Sequence, residues 1–274
     1  MSVTYTAVLD VSEDTVLFLS GLLHAERQRR GTRKGQRKLS TYKQAVLVLR
    51  WFLDDTRMSA LARDNGISGS TAYEYRDEGI AVLAARRPTL HGALLAAKVA
   101  GHAFVIVDGT LIHTDRVSTP GPTKGVDLWW SGKHKHHGGN IQVVSAPDGW
   151  PLWVSDVRPG REHDTTAARA DPELLARITD WISDGARALA DLGYEGEPDT
   201  FTIPFKKPKD GELTIDQQSY NAVHGALRCL GERANSLLKT TYKALRRQRG
   251  CPWRIGAIAA AALVLLHHEH ARTT

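Results

Sequence analysis

The chain has 274 residues, 42% of them hydrophobic, with 36 lysines and arginines against 30 aspartates and glutamates, a formal charge of +6 and a pI near 9.4. That length allows one large domain or two smaller ones around a real core, and two cysteines, Cys229 and Cys251, exclude a disulfide framework or a zinc knuckle and suit a reducing cytoplasm. The basic excess suits a polyanionic partner without requiring one.

The opening stretch MSVTYTAVLDVSEDTV has neither the charged start nor the apolar core of a secretory leader. Up to about residue 98 the pattern is helical, with apolar residues three and four apart through Val16, Leu19, Leu22 and Leu23, and again through Val46, Leu49 and Leu53. Between these helices, Arg27, Arg29, Arg30, Arg33, Lys34, Arg37 and Lys38 fall within twelve positions, a Gly-punctuated linker that reads as exposed. This clustering makes nucleic acid the leading partner, ahead of a merely solvated face.

A helix-turn-helix is predicted at about 57–84. Ala62 supplies the small residue where two helices touch, Gly66 the turn, and Ile67, Ala72 and Tyr75 the apolar contacts of the second helix. In a DNA-binding reading the helix from about Gly69 enters a major groove, and Ser70, Thr71, Tyr73 and Arg76 reach phosphates or base edges. The alternative is an αα-hairpin that only packs. Residues 1–100 are thus expected to form a helical N-terminal DNA-binding region.

From residue 101 the texture changes. HAFVIVDGTLIHT is β-rich, GGNIQVVSAPDGWPLWVSDVRPG reads as two strands around the turn PDGW, and RALADLGYEG as another short strand entering a polar turn. Helices are expected over HDTTAARADPELLARI, over residues 227–250 as one long basic element, and over 253–270. The apolar run at 255–266 is twelve residues, short of the roughly 20 that a spanning helix needs, so it is expected as a buried C-terminal helix with no membrane partner. Residues 101–274 therefore read as an α/β domain, a mixed sheet flanked by helices.

Three carboxylates in this half carry chemistry. Asp108 and Asp191 each end a short apolar strand, where an aspartate can simply cap a turn, and Glu232 can simply pair with Arg228 one helical turn away. Taken together, three acids on rigid elements can converge on hard cations. Carboxylate oxygens suit Mg²⁺ or Mn²⁺, and two such ions about 3.5 to 4 Å apart stabilise both the attacking and the leaving oxygen in phosphodiester cleavage.

With its VIVDGT, its ADLGYEG and the spacing of Arg228, Glu232 and Lys239, the chain resembles the bacterial insertion-sequence DDE transposases of the insertion-sequence-5 type, related to the PIF/Harbinger transposases. The connecting region HKHHGGNIQVVSAPDGWPLWVSDVRPGREHDTTAAR is also similar. The resemblance covers about residues 101–250 and implies an RNase H-like catalytic domain, DNA strand cleavage followed by strand transfer, and two metal ions held by Asp108, Asp191 and Glu232. It further implies terminal inverted repeats and target DNA as partners, a homodimer or larger assembly on DNA, and a bacterial, nucleoid-associated setting in the cytoplasm. One departure is that the tyrosine of the family signature would fall at Gly225.

Other residues take their roles around this core. Arg228, Lys239, Lys243 and Arg246 would follow the phosphate backbone, and Arg228, Asn235 and Lys239 share nearly one helix face with Glu232. Lys133, His134 and Lys135 form a basic, Gly-flanked loop suited to phosphates; a zinc site there, or at HHEH over 267–270, lacks partners at ligand spacing. His163 and Asp164 have either a supporting role near the metals or, for Asp164, a helix-capping role. Trp129 and Trp130 read as core, or as a stacking platform for an unpaired base. Two other functions stay open: a domesticated DNA-binding regulator without catalysis, and a nuclease that cleaves without transferring strands.

Overall fold

A computed structural model of the chain describes residues 8–274; residues 1–7, which include the start of the stretch read as lacking a leader, lie outside the described residues. The first half is helical: α1 (Glu13–Arg29), α2 (Thr41–Asp54), α3 (Met58–Asp64), α4 (Gly69–Ala84) and α5 (Leu90–Val99). Hydroxyls start four of them. Ser12, Ser40, Ser68 and Thr89 each accept a hydrogen bond from a backbone N–H two or three residues into the helix, satisfying donors that the helix leaves unpaired. The turn between α3 and α4 needs a left-handed residue, supplied by Gly66 at φ +61°, and Ile67 N–H returns to the Ala62 carbonyl.

The sheet begins with β1 (Phe104–Thr114) and continues through β2 (Trp130–Ser131), β3 (His136–Ser145), β4 (Pro151–Val154), β5 (Arg158–Pro159), β6 (Arg187–Leu189) and β7 (Arg247–Gln248). β1 pairs antiparallel with β3, β3 antiparallel with β4, and β6 parallel with the other edge of β1. A parallel bridge from Leu189 to Thr202 extends the sheet beyond β6. This is the mixed, RNase H-like order, with α6 (Asp164–Ala170), α7 (Leu174–Ser183), α8 (Ile215–Thr241) and α9 (Ile255–Glu269) around it. The expected turn at PDGW joins β3 to β4, with Gly149 at φ +81°.

The long helix differs from expectation at both ends. α8 starts twelve residues earlier, at Ile215, behind a capping box made by Thr214 and Gln217, and stops at Thr241. Its end is set by Tyr242, which turns extended and buries its ring against Phe52, 6.0 Å between centroids. Arg246 then folds back and donates to the Lys239 carbonyl at 2.9 Å, filling an acceptor that the helix end leaves open. Residues 243–248 are a 3-10 turn and β7, not helix.

α9 is buried along nearly its whole length and packs on α1 and α4 on one side and β4 on the other. An all-round apolar helix has to lie between layers. By sequence it belongs to the second half; by packing it belongs to both.

Candidate active site

Residues alternate across β1, so Ile106, Asp108 and Thr110 share one face and Gly109 and Leu111 the other. α8 lies over the first face with residues three and four apart. Gly231 sits on Ile106, where a Cβ would stand 2.6 Å from its Cγ2; Asn235 Nδ2 donates to Asp108 Oδ2 at 2.8 Å; Lys239 Nζ donates to Thr110 Oγ1 at 2.7 Å and the Leu111 carbonyl at 3.0 Å. Arg228 completes the row, its guanidinium 3.8 Å from Asp108 and 3.3 Å from Glu232. Glu232, expected as the third metal ligand, is largely exposed and pairs with Arg228, which faces Asp108 as well.

Asp191 follows β6 and caps a 3-10 turn at 192–194, accepting from Gly193 N–H at 2.8 Å. The register of β1 and β6 pairs Ile106 with Leu189, which places Asp191 beside Asp108. Asp108 is the electrostatic centre of the cluster. Burial pushes its carboxyl up to about 6, Arg228 opposes this, and the charges of Asp191, Asp164 and Glu232 add to it.

Asp164 opens α6 but caps no N–H of that helix. Its carboxylate accepts from Asn140 Nδ2 at 2.9 Å and stands 3.5 Å from Lys133. Two glycines make room for it: a Cβ on Gly109 would collide with Asp164, and one on Gly193 would stand 3.0 Å from Asp164 Oδ2 and 2.7 Å from Asp191 Oδ1. The capping role is therefore not what this side chain does. His163 is the exposed N-cap residue of α6 and makes no side-chain cap.

Behind the acids runs a buried polar chain that the motifs did not reveal. Tyr194, fully buried, donates its hydroxyl to Gln142, whose Nε2 donates to Asn140 at 3.3 Å. The available signal was two amides in alternation, Asn140 and Gln142, within a strand otherwise rich in glycine and apolar residues. Lys133, His134, His163 and Asp164, with Gly109 and Leu111, line a cleft of about 220 Å³ on the face of β1 opposite Asp108. Lys135 does not line it and stands exposed at φ +55°.

Several residues expected to reach DNA are otherwise engaged. Lys243 pairs with Asp54 at 3.1 Å, and Arg246 holds the end of α8, so neither continues the basic face of that helix. Arg76 is a correction: it is buried, its guanidinium lies over the rings of Trp51 and Tyr73 at 5.0 and 4.7 Å, and it pairs with Asp77. Its position on α4 faces α2, because only the first turns of α4 are free. Ser70 and Tyr73 there are exposed, and the hydroxyls of Ser70 and Thr71 both meet Ser68 Oγ. Trp129 is core, at 1% exposure.

Among the described residues no three carboxylate, imidazole or thiolate side chains already stand close enough to enclose a metal ion. The donor chemistry nevertheless fits hard cations. The acids whose charges act on Asp108 all offer carboxylate oxygens, those charges raise its pKa, and Asn235 Oδ1 is buried without a hydrogen-bond partner. Added positive charge would relieve both conditions.

Residues 107–267 match a family described as DDE superfamily endonuclease. The chain is 23% identical over 235 residues to the probable transposase for insertion sequence element IS702 of Microchaete diplosiphon, covering 84% of this chain and 80% of that protein. The structure of the Mos1 transposase paired-end complex with left transposon end aligns over 90% of this chain and 86% of that one, at 11% identity and a TM-score of 0.21. At that score the fold rests on the strand order described above.

Proposed function

The chain belongs to the DDE superfamily endonucleases, and from that premise we propose that it is an insertion-sequence transposase that cleaves DNA at the element's ends and transfers the freed strands to target DNA. The observation that carries this reading is Asp108, a half-buried carboxylate in mid-strand that feels the charges of Asp191, Asp164 and Glu232 and is contacted by two polar residues of α8, Asn235 and Arg228. Asp108, Asp191 and Glu232 would hold two Mg²⁺ or Mn²⁺ ions. When bound, these supply activation of a water or 3′-hydroxyl and stabilisation of the departing oxygen.

The remaining work falls to side chains. Asn235 orients Asp108, Lys239 fixes β1 beneath it, and Arg228 balances its charge and can turn to a phosphate at the exposed rim. Lys133 lines the cleft on the opposite face and Lys135 is exposed two residues along the same loop, where a second stretch of backbone would run. Ser70, Thr71 and Tyr73 remain at the free start of α4 for a DNA groove. Joining two DNA ends requires two active sites at one place, so the working form is a dimer or larger assembly on the terminal inverted repeats.

The test is a supercoiled plasmid carrying candidate inverted repeats, incubated with Mg²⁺. Nicking is expected from the native protein and not from Asp108→Ala, Asp191→Ala or Glu232→Ala. Native-level nicking by any of the three sinks the assignment.

A further inference from the structure

The basic linker between α1 and α2 is more than a solvated loop. Gly31 at φ +62° and Gly35 at φ +83° fold it back so that it closes over α4, and it encloses a cleft of about 370 Å³ lined by Arg27, Arg33, Lys34 and Arg37, with His24 and Ser40. No carboxylate lines it. The one acid beneath is Glu78 of α4, with its side chain 3% exposed, and Glu78 is already shared: Arg37 donates to it at 2.6 Å, Gln44 at 2.7 Å, and Arg30 stands at 3.5 Å.

This buried framework fixes the cleft. Arg37 lies over the Tyr75 ring at 5.0 Å, Tyr75 Oη accepts from Leu39 N–H at 3.3 Å, and Arg27 Nη2 donates to Gln44 at 2.7 Å. Two features then ask for an anion. Arg27 Nε is a buried donor without a partner, and such a group costs on the order of 1 to 3 kcal/mol while unsatisfied. Among the described residues, Arg33 and Lys34 form no ion pair, so the cations exceed the acids. Burial, and then the charge of Arg37, pull the Arg27 guanidinium below its usual value.

We propose that this cleft is a preformed site for a backbone phosphate of double-stranded DNA, held by Arg27, Arg33, Lys34 and Arg37. Position decides for DNA over a small anion. Glu78, which anchors the lining residue Arg37, lies eight residues along α4 from Ser70, roughly 12 Å at 1.5 Å per residue, about the width of a major groove. A duplex that receives the first turn of α4 brings its bordering backbone over the cleft. The contact reads no sequence; it sets register and strength of binding. The inference rests on the reading of the chain as a DNA-acting protein but not on its cleavage chemistry.

The experiment is binding of the full chain to two unrelated 30-base-pair duplexes across a salt series, without divalent metal. For the exposed double variant Arg33→Gln with Lys34→Gln, affinity is expected to fall about tenfold on both duplexes near 0.15 M salt. The slope of log affinity against log salt is expected to shrink by about 1, the share of the one phosphate that the cleft holds. Arg27→Gln, checked for native circular dichroism, is expected to shrink it by about 1. Unchanged affinity and slope in the double variant overturn the site. So does stabilisation by 10 mM inorganic phosphate that these substitutions remove while duplex binding stays native, which would mark a small-anion site. Plasmid nicking separates the two readings. If the double variant binds duplexes like the native protein while Asp108→Asn stops nicking, the cleft is wrong and the cleavage reading stands; the reverse pattern overturns cleavage and keeps the cleft.

Discussion

At the residue scale the decisive property of Asp108 is its proton. An aspartate raised from 3.8 to about 6 takes up a proton on folding across that window, so its contribution to stability falls as pH rises from about 4 to 6 and stays at its lowest above. In metal-free buffer at pH 7, Asp108→Asn is therefore expected to be more stable than the native protein by on the order of 2 kcal/mol. The gain should fade as pH drops towards 4. Urea unfolding with chelator at pH 4, 5 and 7 measures this, and an Asp108→Asn protein no more stable at pH 7 contradicts it. The sequence placed Asp191 correctly after a short strand but Asp108 at a strand end, whereas β1 runs on to Thr114 because its pairing with β3 continues past Asp108. Asp164 was only half legible: the residue next to His163 could be seen, but not the two glycines that let its carboxylate approach from another element.

At the element scale α8 sets the site by its contact with β1. Gly231 allows that contact, and Gly225 tests the opposite case, since nothing lies within 4 Å of a Cβ there. Gly231→Leu is expected to cost about 2 kcal/mol through overpacking on Ile106. By displacing α8 it should also separate Asn235 from Asp108 and lower nicking. Gly225→Ala should leave both unchanged or raise stability by up to about 1 kcal/mol. Thermal melts and the nicking assay on the two variants check this, and equal behaviour would contradict it. No neighbour packs around position 225, so the fold does not require the aromatic that the family signature has there. The spacing of Arg228, Glu232 and Lys239 could be read directly, because 3.6 residues per turn fixes a face. The end of the helix could not, because it depends on Tyr242 finding Phe52, far back in the chain on α2.

At the scale of the whole molecule, α9 decides how the halves behave. The change from helix to strand does fall near residue 101, but α4 and β4 share α9 as their core. The two regions can divide function between them while folding as one. Urea unfolding followed by far-ultraviolet circular dichroism and by tryptophan fluorescence is expected to give a single coincident transition, since Trp51 reports on the helices and Trp153 on the sheet. Two resolved transitions would show that α9 does not couple them.

The amino-acid order by itself determined what is local: helix faces, hydroxyl caps, the glycine turn of the helix-turn-helix, strand alternation and the motif acids. Each of these is set by residues within a few positions of one another. Only the tertiary structure decided which groups lose water and which charges meet. It turned Arg76 inward onto Trp51, tied Lys243 to Asp54, seated Asp164 against Gly109 and Gly193 within range of the Asp108 charge, and closed the basic linker over Glu78 to make a cleft. Desolvation and Coulomb energy sum over neighbours in space, and those neighbours come from elements that no single motif contains.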